Sequence, residues 1–494
     1  MANANIHGPG NGGMVAAFRD LRDFIDRLLR EFGKDEVRAI DGAHWNLEMG
    51  CLSELVAEKE GPALLFDNIV GYPKGFRVLT NFLGTAARNA VALGISPKLS
   101  KVEMVRAWKD KSKLLKHIPP KELATGSVME NVLEGDAVDL ARFPAPKWHE
   151  HDGGRYIGTA DMVITRDPDT GWVNFGTHRG CIQGKDRLSL WFTTRGDRHS
   201  HHIASKYWAK GQACPIAVVL GCDPVLWSAA PAAVPVGVSE YGLAGAFRGE
   251  PVEVIRAPGT GLPIPAHAEI VVEGEMPPLE EESAQEGPFG EWPGYYSHTG
   301  PETVVRVKRI MHRNDPILLG AVPMIPTTTF GYGALPLTAA STWEHLENAG
   351  VPNVRGVWVF ARYLMFVVSI EQRYDGHAMQ ALIAAAGRRR SGAMETYVVV
   401  VDEDIDPSDI NQVLWALCTR VDPAKSVQIL RSRTTDIDPR LSPQQREEKD
   451  YSMGLMLIDA CKPYAWKNQF PLTNRFDEPM REAVRRRWQS KLPL

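Results

Sequence analysis

The sequence lacks most of the features that would assign it to a class at once. Its six cysteines, Cys51, Cys181, Cys214, Cys222, Cys418 and Cys461, are scattered. None forms a CxxC pair, so neither a zinc ribbon nor a redox dithiol is indicated. A chain of 494 residues has little need of a disulfide framework. There is no run of about 18 apolar residues, so no transmembrane helix is expected. The opening segment MANANIHGPGNGG has no apolar core of the secretion-signal kind, and a cytoplasmic protein is expected. An excess of one charge is also missing. The net formal charge of −4 offers no electrostatic grip on nucleic acid. The basic runs GRRRSG (387–392) and REAVRRRW (481–488) are local and read as solvated faces. No Walker A loop, dinucleotide GxGxxG or HExxH zinc helix occurs. The glycine-rich GTGLP (259–263) and FGYGALP (330–336) lack the strand-then-helix frame those motifs need. There is no internal repeat and no low-complexity tract.

What is present is an alternation of textures. Residues 14–32 carry Val15, Phe18, Leu21, Phe24, Ile25, Leu28 and Phe32 at helical spacing. Short apolar runs at 63–70 and 75–84 and a helical pattern at 101–118 complete an α/β unit, which IPPKELATG ends. From about residue 126 short strands dominate. YIGTADMVITRD and GWVNFGTHRG flank the turn DPDTG (167–171) and predict a hairpin. Further strands are expected at 187–192, 215–221, 251–257, 268–275 and 302–313, with a helix at 199–211. That density suggests a barrel or a strongly curved sheet. After about 325, paired strands at 356–370 precede a helix at 377–387 and a buried strand at 396–406. A helix over 408–420, capped by Ser408 or Asp409, and a basic helix near the end complete a second α/β domain. The expected domains are 1–125, 126–325 and 326–494.

Four local features stand out. NFGTHRG (174–180) offers Asn174 as a neutral oxygen ligand and Arg179 as a permanent cation. DRHSHH (197–202) places three histidines at a helix start. PVGVSEYGLAGA (235–246) puts Glu240 at a strand-to-helix change. EGPFGEWPGYY (286–296) sets Glu286 and Glu291 five residues apart on a backbone rich in Gly and Pro. Positions five apart point roughly 140° away from each other on a helix and to opposite faces of a strand. Only a loop brings both carboxylates to one site, and it needs a partner to hold them.

In this order, with VVVVDEDID (398–406) and WALCTR (415–420) further on, the features resemble the UbiD family of reversible decarboxylases, which use prenylated FMN. GYPKGFRVLTNFLG (71–84) and RNAVALGI (88–95) extend the resemblance over nearly the whole chain. It implies an α/β (α+β) fold: an N-terminal α/β domain, a central split β-barrel that binds flavin, and a C-terminal α/β domain with a terminal helix. It implies a divalent metal, Mn²⁺ or Mg²⁺, held against the cofactor phosphate by Asn174, His199 and Glu240, with His201 and His202 as rivals to His199. An oxygen-rich set with one imidazole suits Mn²⁺. It implies a K⁺ site, mostly of backbone carbonyls, at Phe175, Ala229, Ala230, Ala232, Glu240 and Arg420. It maps a Glu–Arg–Glu network onto Glu286, Arg179 and Glu291. Arg179 is then the partner that holds two loop carboxylates, since its planar fork can bond both. Glu291 would protonate the carbon that loses CO₂, and Glu286 would support Arg179.

The same resemblance places Thr177, His178, Arg179 and Arg198 at the cofactor. Arg390 matches a basic cofactor contact where Lys is usual. Trp292, beside Glu291, is either a wall of the substrate pocket or packing for the loop. An indole there favours a compact aromatic or heteroaromatic acid of the furoate, pyrrole-carboxylate or hydroxybenzoate kind. The segment 433–448 departs from the familiar pattern and is a candidate pocket wall. Other implied properties are a homodimer or higher oligomer, with helix 479–490 able to cross between subunits, and a flavin prenyltransferase as cofactor supplier. Two other readings remain: a carboxylase running in the reverse direction, and a non-catalytic flavin-binding subunit.

Overall fold

The computed structural model describes residues 18–192, 198–232, 234–325, 335–388 and 394–492. The first helix is Leu21–Phe32, buried through Leu21, Phe24, Ile25 and Leu28. It starts later than the periodicity from residue 14 suggests. Asp20 is extended and its carboxylate accepts the Asp23 N–H, which caps the helix there. Phe18 is buried outside the helix, and Val15 lies outside the described residues. Strands Val37–Asp41, Ala63–Asp67 and Arg77–Thr80 form a sheet whose fourth strand, Ile317–Leu319, returns from far along the chain to pair in parallel with Arg77–Thr80.

Lys101–Ser112 is helical, closed at its start by a Ser100–Glu103 capping box. Its apolar face does not serve the N-terminal sheet. Met104, Val105 and Trp108 pack with Trp343, Trp358 and Val368 in the C-terminal core. Amphipathic spacing reveals that a face is buried but not against what.

The centre is a ten-stranded sheet whose main path runs open from Tyr156–Gly158 to Val173–Gly176. The expected hairpin is formed by Met162–Arg166 and Val173–Gly176, with Val163 opposite Gly176. Asp167 fixes its turn by accepting the N–H groups of Asp169 and Thr170. The long strand Gly300–His312 pairs with Arg187–Leu190, Ile270–Met276, Ser283–Glu286 and Asn131–Glu134, and so ties the sheet together. The expected strand at 251–257 is real, as Glu253–Arg256, but belongs to a separate three-stranded sheet with Pro263–Pro265 and Lys121–Glu122. Helices His199–Trp208 and Glu240–Arg248 both point their first residues at strand Val173–Gly176.

The C-terminal domain is a mixed five-stranded sheet in the order Val354–Phe360, Met365–Ile370, Tyr397–Asp402, Ser452–Ala460, Val427–Arg433. Asp409 is the cap of helix Ile410–Arg420, accepting from Asn411 and Gln412. The final helix, Glu478–Trp488, buries none of its residues within the chain. Among the described residues no helix is long and apolar enough to cross a membrane.

Candidate active site

Arg179 leaves the hairpin just before strand Gly180–Gly184 and is buried. Its Nε and Nη2 donate to the two oxygens of Glu286, at 2.7 and 2.6 Å. Its Nη1 donates to Glu291 Oε1 and its Nη2 also reaches Ser297 Oγ at 3.1 Å. One guanidinium therefore holds both carboxylates. Its face lies 4.4 Å from the Trp191 ring centroid and 5.2 Å from that of Phe289. Burial alone would lower the Arg179 pKa, but the hydrogen bonds and charges of Glu286 and Glu291 outweigh it and the net shift is upward. The cation is permanent.

The two carboxylates are held unequally. Glu286 takes two bonds from Arg179 and a third from the Tyr156 hydroxyl at 2.8 Å. Burial, followed by the Glu286 charge, raises the Tyr156 pKa, so the phenol remains a donor. Glu291 takes one bond from Arg179 through Oε1; among the described residues Oε2 accepts only the backbone N–H of its neighbour Trp292, at 3.2 Å. Three donors fix Glu286, whereas Glu291 retains an oxygen with capacity for a proton.

The loop's Gly and Pro are explained by close approach. A Cβ on Gly287 would stand 2.5 Å from the His298 carbonyl oxygen, and one on Gly290 would stand 2.6 Å from His149 Nδ1. Gly287 also sits at φ +87°. From the other side Asp152 accepts the Gly290 N–H at 2.9 Å and the Gly153 N–H donates to the Pro288 carbonyl at 2.7 Å. Beyond Gly290 the chain folds into a tight tip: Glu291 N–H donates to Tyr295 O, and Gly294 N–H to Glu291 O, both at 2.9 Å.

A second cluster lies beyond Thr177 and His178. One end of the Asn174 amide is 3.0 Å from Glu240 Oε1 and 3.3 Å from His199 Nδ1; the other is 3.0 Å from Ser200 Oγ. With nitrogen towards the pair, the amide donates to both. With oxygen towards the pair, three acceptors converge, an arrangement that a cation satisfies. Among the described residues no three of His, Cys, Asp and Glu cluster, so the set depends on this amide. The His201 ring instead faces Trp208 and Phe192, and His202 is exposed. Burial raises the Glu240 pKa to about 7, although Glu240 Oε2 accepts the Phe175 N–H at 3.1 Å. A nearby cation would reverse that shift.

Between the clusters, His178 meets Ser200 Oγ at 3.3 Å and stacks near Phe192. Burial and then the Arg198 charge lower its pKa to about 3, so it is neutral. Thr177 donates to Asp161, at 3.4 Å. Asp161 is fully buried, its pKa raised to about 8 by burial. Glu302 is raised to about 8 by burial and then by the Glu286 charge, with Asp436 adding a smaller push. Asp436, in the segment 433–448, is thus near enough to Glu302 for its charge to be felt there.

The expected K⁺ residues are not gathered as one set of side chains. Phe175 meets Glu240 through its backbone, and Ala229 and Ala230 end the helix Pro224–Ala229, with Ala232 just beyond. Arg420 lies in the C-terminal domain, bound to Asp402 and Asp404 at 2.9–3.0 Å. Arg390 lies outside the described residues. Tyr156, Ser297, Asp152 and Trp191 were not anticipated. They lie on other strands and loops with no motif to mark them.

The Asn174 cradle and the arginine-bridged carboxylate pair are thus anchored five residues apart on one stretch of chain, at Asn174 and Arg179. Three family models match the chain, described as the 3-octaprenyl-4-hydroxybenzoate carboxy-lyase N-terminal domain (residues 31–108), Rift-related domain (121–326) and C-terminal domain (332–460). The chain belongs to the UbiD family. It is 36% identical over 422 residues to the pyrrole-2-carboxylic acid decarboxylase of Pseudomonas aeruginosa, covering 81% of this chain and 83% of that protein. Its fold matches the UbiD-class enzyme HmfF from Pelotomaculum thermopropionicum in complex with FMN, with TM-score 0.82, 26% identity and coverage of 96% and 100%. An evolved dimeric form of HmfF in complex with prFMN matches with TM-score 0.77, 27% identity and coverage of 96% and 98%.

Proposed function

We propose that the protein catalyses the reversible, non-oxidative decarboxylation of an aromatic or heteroaromatic carboxylic acid with prenylated FMN. The observation that carries this is the single Arg179 guanidinium spanning Glu286 and Glu291, with Glu291 the less bonded of the two. Prenylated FMN, when bound, supplies an electron sink for the pair released as the carbon–carboxylate bond breaks. Asn174, His199 and Glu240 would hold a Mn²⁺ or Mg²⁺ ion that offsets the cofactor phosphate charge. Thr177, His178 and Arg198 would line the cofactor, and Arg390 would add a basic contact. Arg179 orients Glu286 and Glu291 between the Trp191 and Phe289 rings. Protonated Glu291 delivers its proton to the carbon that has lost CO₂, giving the C–H product and a carboxylate stabilised by Arg179. Run backwards at high CO₂, the same residues remove that proton and the acid is carboxylated.

Kinship with the pyrrole-2-carboxylic acid decarboxylase supports a compact ring as substrate, and pyrrole-2-carboxylate is the first to try. The retained Arg179, Glu286 and Glu291 speak against a non-catalytic subunit. A K⁺ ion near Phe175, Ala229, Ala230, Ala232 and Glu240, with Arg420, a homodimer or higher oligomer using the exposed C-terminal helix, a flavin prenyltransferase as cofactor supplier, a cytoplasmic location and domains at 1–125, 126–325 and 326–494 complete the reading. The test is co-expression with a flavin prenyltransferase, followed by a cofactor mass and CO₂ release from pyrrole-2-carboxylate, 2-furoate and hydroxybenzoates. Bound prenylated FMN with CO₂ release supports the reading. Folded protein that takes up no cofactor with Mn²⁺ and K⁺ supplied sinks it.

A further inference from the structure

Hairpin tips normally project into solvent, because their backbone groups need water. The tip joining Val354–Phe360 to Met365–Ile370 does not. Tyr363 is only 9% exposed, and Ala361, Arg362 and Leu364 are half-buried. The turn also places two non-glycine residues in the left-handed region, Ala361 at φ 47° and Arg362 at φ 62°. Each such residue is disfavoured by contact of its Cβ with the backbone, which contacts from outside the turn must offset.

Those contacts lead to the catalytic loop. The Arg362 guanidinium carbon lies 4.9 Å from the Trp292 ring centroid and 5.2 Å from that of Tyr363. The Tyr363 and Trp292 rings meet edge-on at 5.9 Å. Trp292 also packs on the small cluster of Val359, Tyr363 and Phe366. The backbone N–H of Trp292 donates to Glu291 Oε2, the carboxylate oxygen that Arg179 does not bind. A chain of contact therefore runs from the C-terminal domain through Arg362 and Tyr363 to Trp292, and through one hydrogen bond to the less fixed oxygen of Glu291.

We infer that Arg362 and Tyr363 are positioning residues for Glu291, and that the 361–364 tip makes the seating of that carboxylate depend on docking of the C-terminal domain against the catalytic loop. This rests on the reading of Glu291 as the proton carrier. The indole of Trp292 acts as the lever. Its placement beside Glu291 serves packing first, whatever it also contributes to the pocket.

The test uses holoenzyme carrying R362A, R362K, Y363L or E291Q. Two readouts are taken: hydrogen–deuterium exchange of the 291–296 amides, and kcat and KM with pyrrole-2-carboxylate as probe. R362A and Y363L are expected to speed exchange in this tip at least about tenfold. They should lower kcat by about 10- to 100-fold, the scale of a slight misplacement of a reacting group, with KM and flavin content near wild type. R362K, which keeps a cation over the ring, should recover most of the loss. Wild-type exchange in both R362A and Y363L overturns the inference, as does wild-type kcat in an active enzyme. Y363L decides alone if R362A does not fold. E291Q separates the two ideas. If E291Q turns over normally, the proton-carrier reading fails; if E291Q is dead while R362A and Y363L behave as wild type, only the docking inference fails.

Discussion

The two polar clusters of this protein bury acids in opposite ways. Around Arg179 the chain supplies its own counter-charge: two carboxylates, one guanidinium and the Tyr156 and Ser297 hydroxyls pair among themselves. Around Asn174, among the described residues, no Lys or Arg pairs with Glu240, and burial raises the pKa of that acid to about 7. Buried charge is costly unless paired. The first cluster is therefore preorganised, while the second acquires its charge balance from whatever binds there. On the proposed reading, proton transfer would use groups of the protein alone, and the cradle would be half of a site that a cation and a phosphate complete.

The sharpest way to break this contrast is E291Q. It should abolish turnover, by at least about 1,000-fold within the range that general acid catalysis supplies, while bound flavin absorbance is unchanged. Next comes R179K. A lysine cannot bond Glu286 through two nitrogens and also reach Glu291, so kcat should fall by about 100-fold or more on the strength of charge-assisted bonds. Cofactor retention after gel filtration should stay near wild type.

The cradle should respond in reverse. N174A or E240A should lose metal and cofactor on gel filtration, read by metal analysis and flavin absorbance, and a chelator should do the same to the wild type. Equal cofactor retention in N174A and wild type would contradict the idea of a half-built site. Y156F is gentler. It removes one donor from an already triply bonded carboxylate, at about 1.5–3 kcal/mol, and should lower kcat by roughly tenfold or more.

The smallest effect concerns Asp161, whose pKa burial raises in the folded protein to about 8, far above the usual carboxylate range. The folded state then holds a proton that the unfolded state releases. Stability from this group is fully present below about pH 4 and is lost as pH rises towards 8. D161N keeps an acceptor for the Thr177 hydroxyl and removes the titration. Its melting temperature should exceed that of wild type by a few degrees at pH 8, with the difference vanishing near pH 4. A difference independent of pH would show that Asp161 is not protonated in the folded protein.

Much of this was legible in the sequence, for specific reasons. Period-two apolar runs around DPDTG announced the hairpin that carries Asn174 and Arg179. The Gly and Pro of EGPFGE signalled a loop; its close contacts with His298, Gly153 and His149 come from the folded chain. Residue type and order pointed to Asn174, Glu240, Arg179, Glu286 and Glu291 before any distance was known. Which of three histidines meets Asn174 was not legible, since a helix turns each to a different face; His199 is the one whose ring arrives.

Other facts were decided only by tertiary structure. Local sequence specifies which face of an element is apolar, because that depends on spacing along the chain. It does not specify what covers that face, because the partner comes from remote positions. So the helix Lys101–Ser112 could be read, but not its burial in the C-terminal core. The loop acids could be read, but not Tyr156, 130 positions away, which holds Glu286. Trp292 could be noticed, but only the folded chain brings Arg362 and Tyr363 onto its ring. The chemistry of the site resides in residue types that the sequence displays, and its geometry in contacts between segments that the sequence keeps far apart.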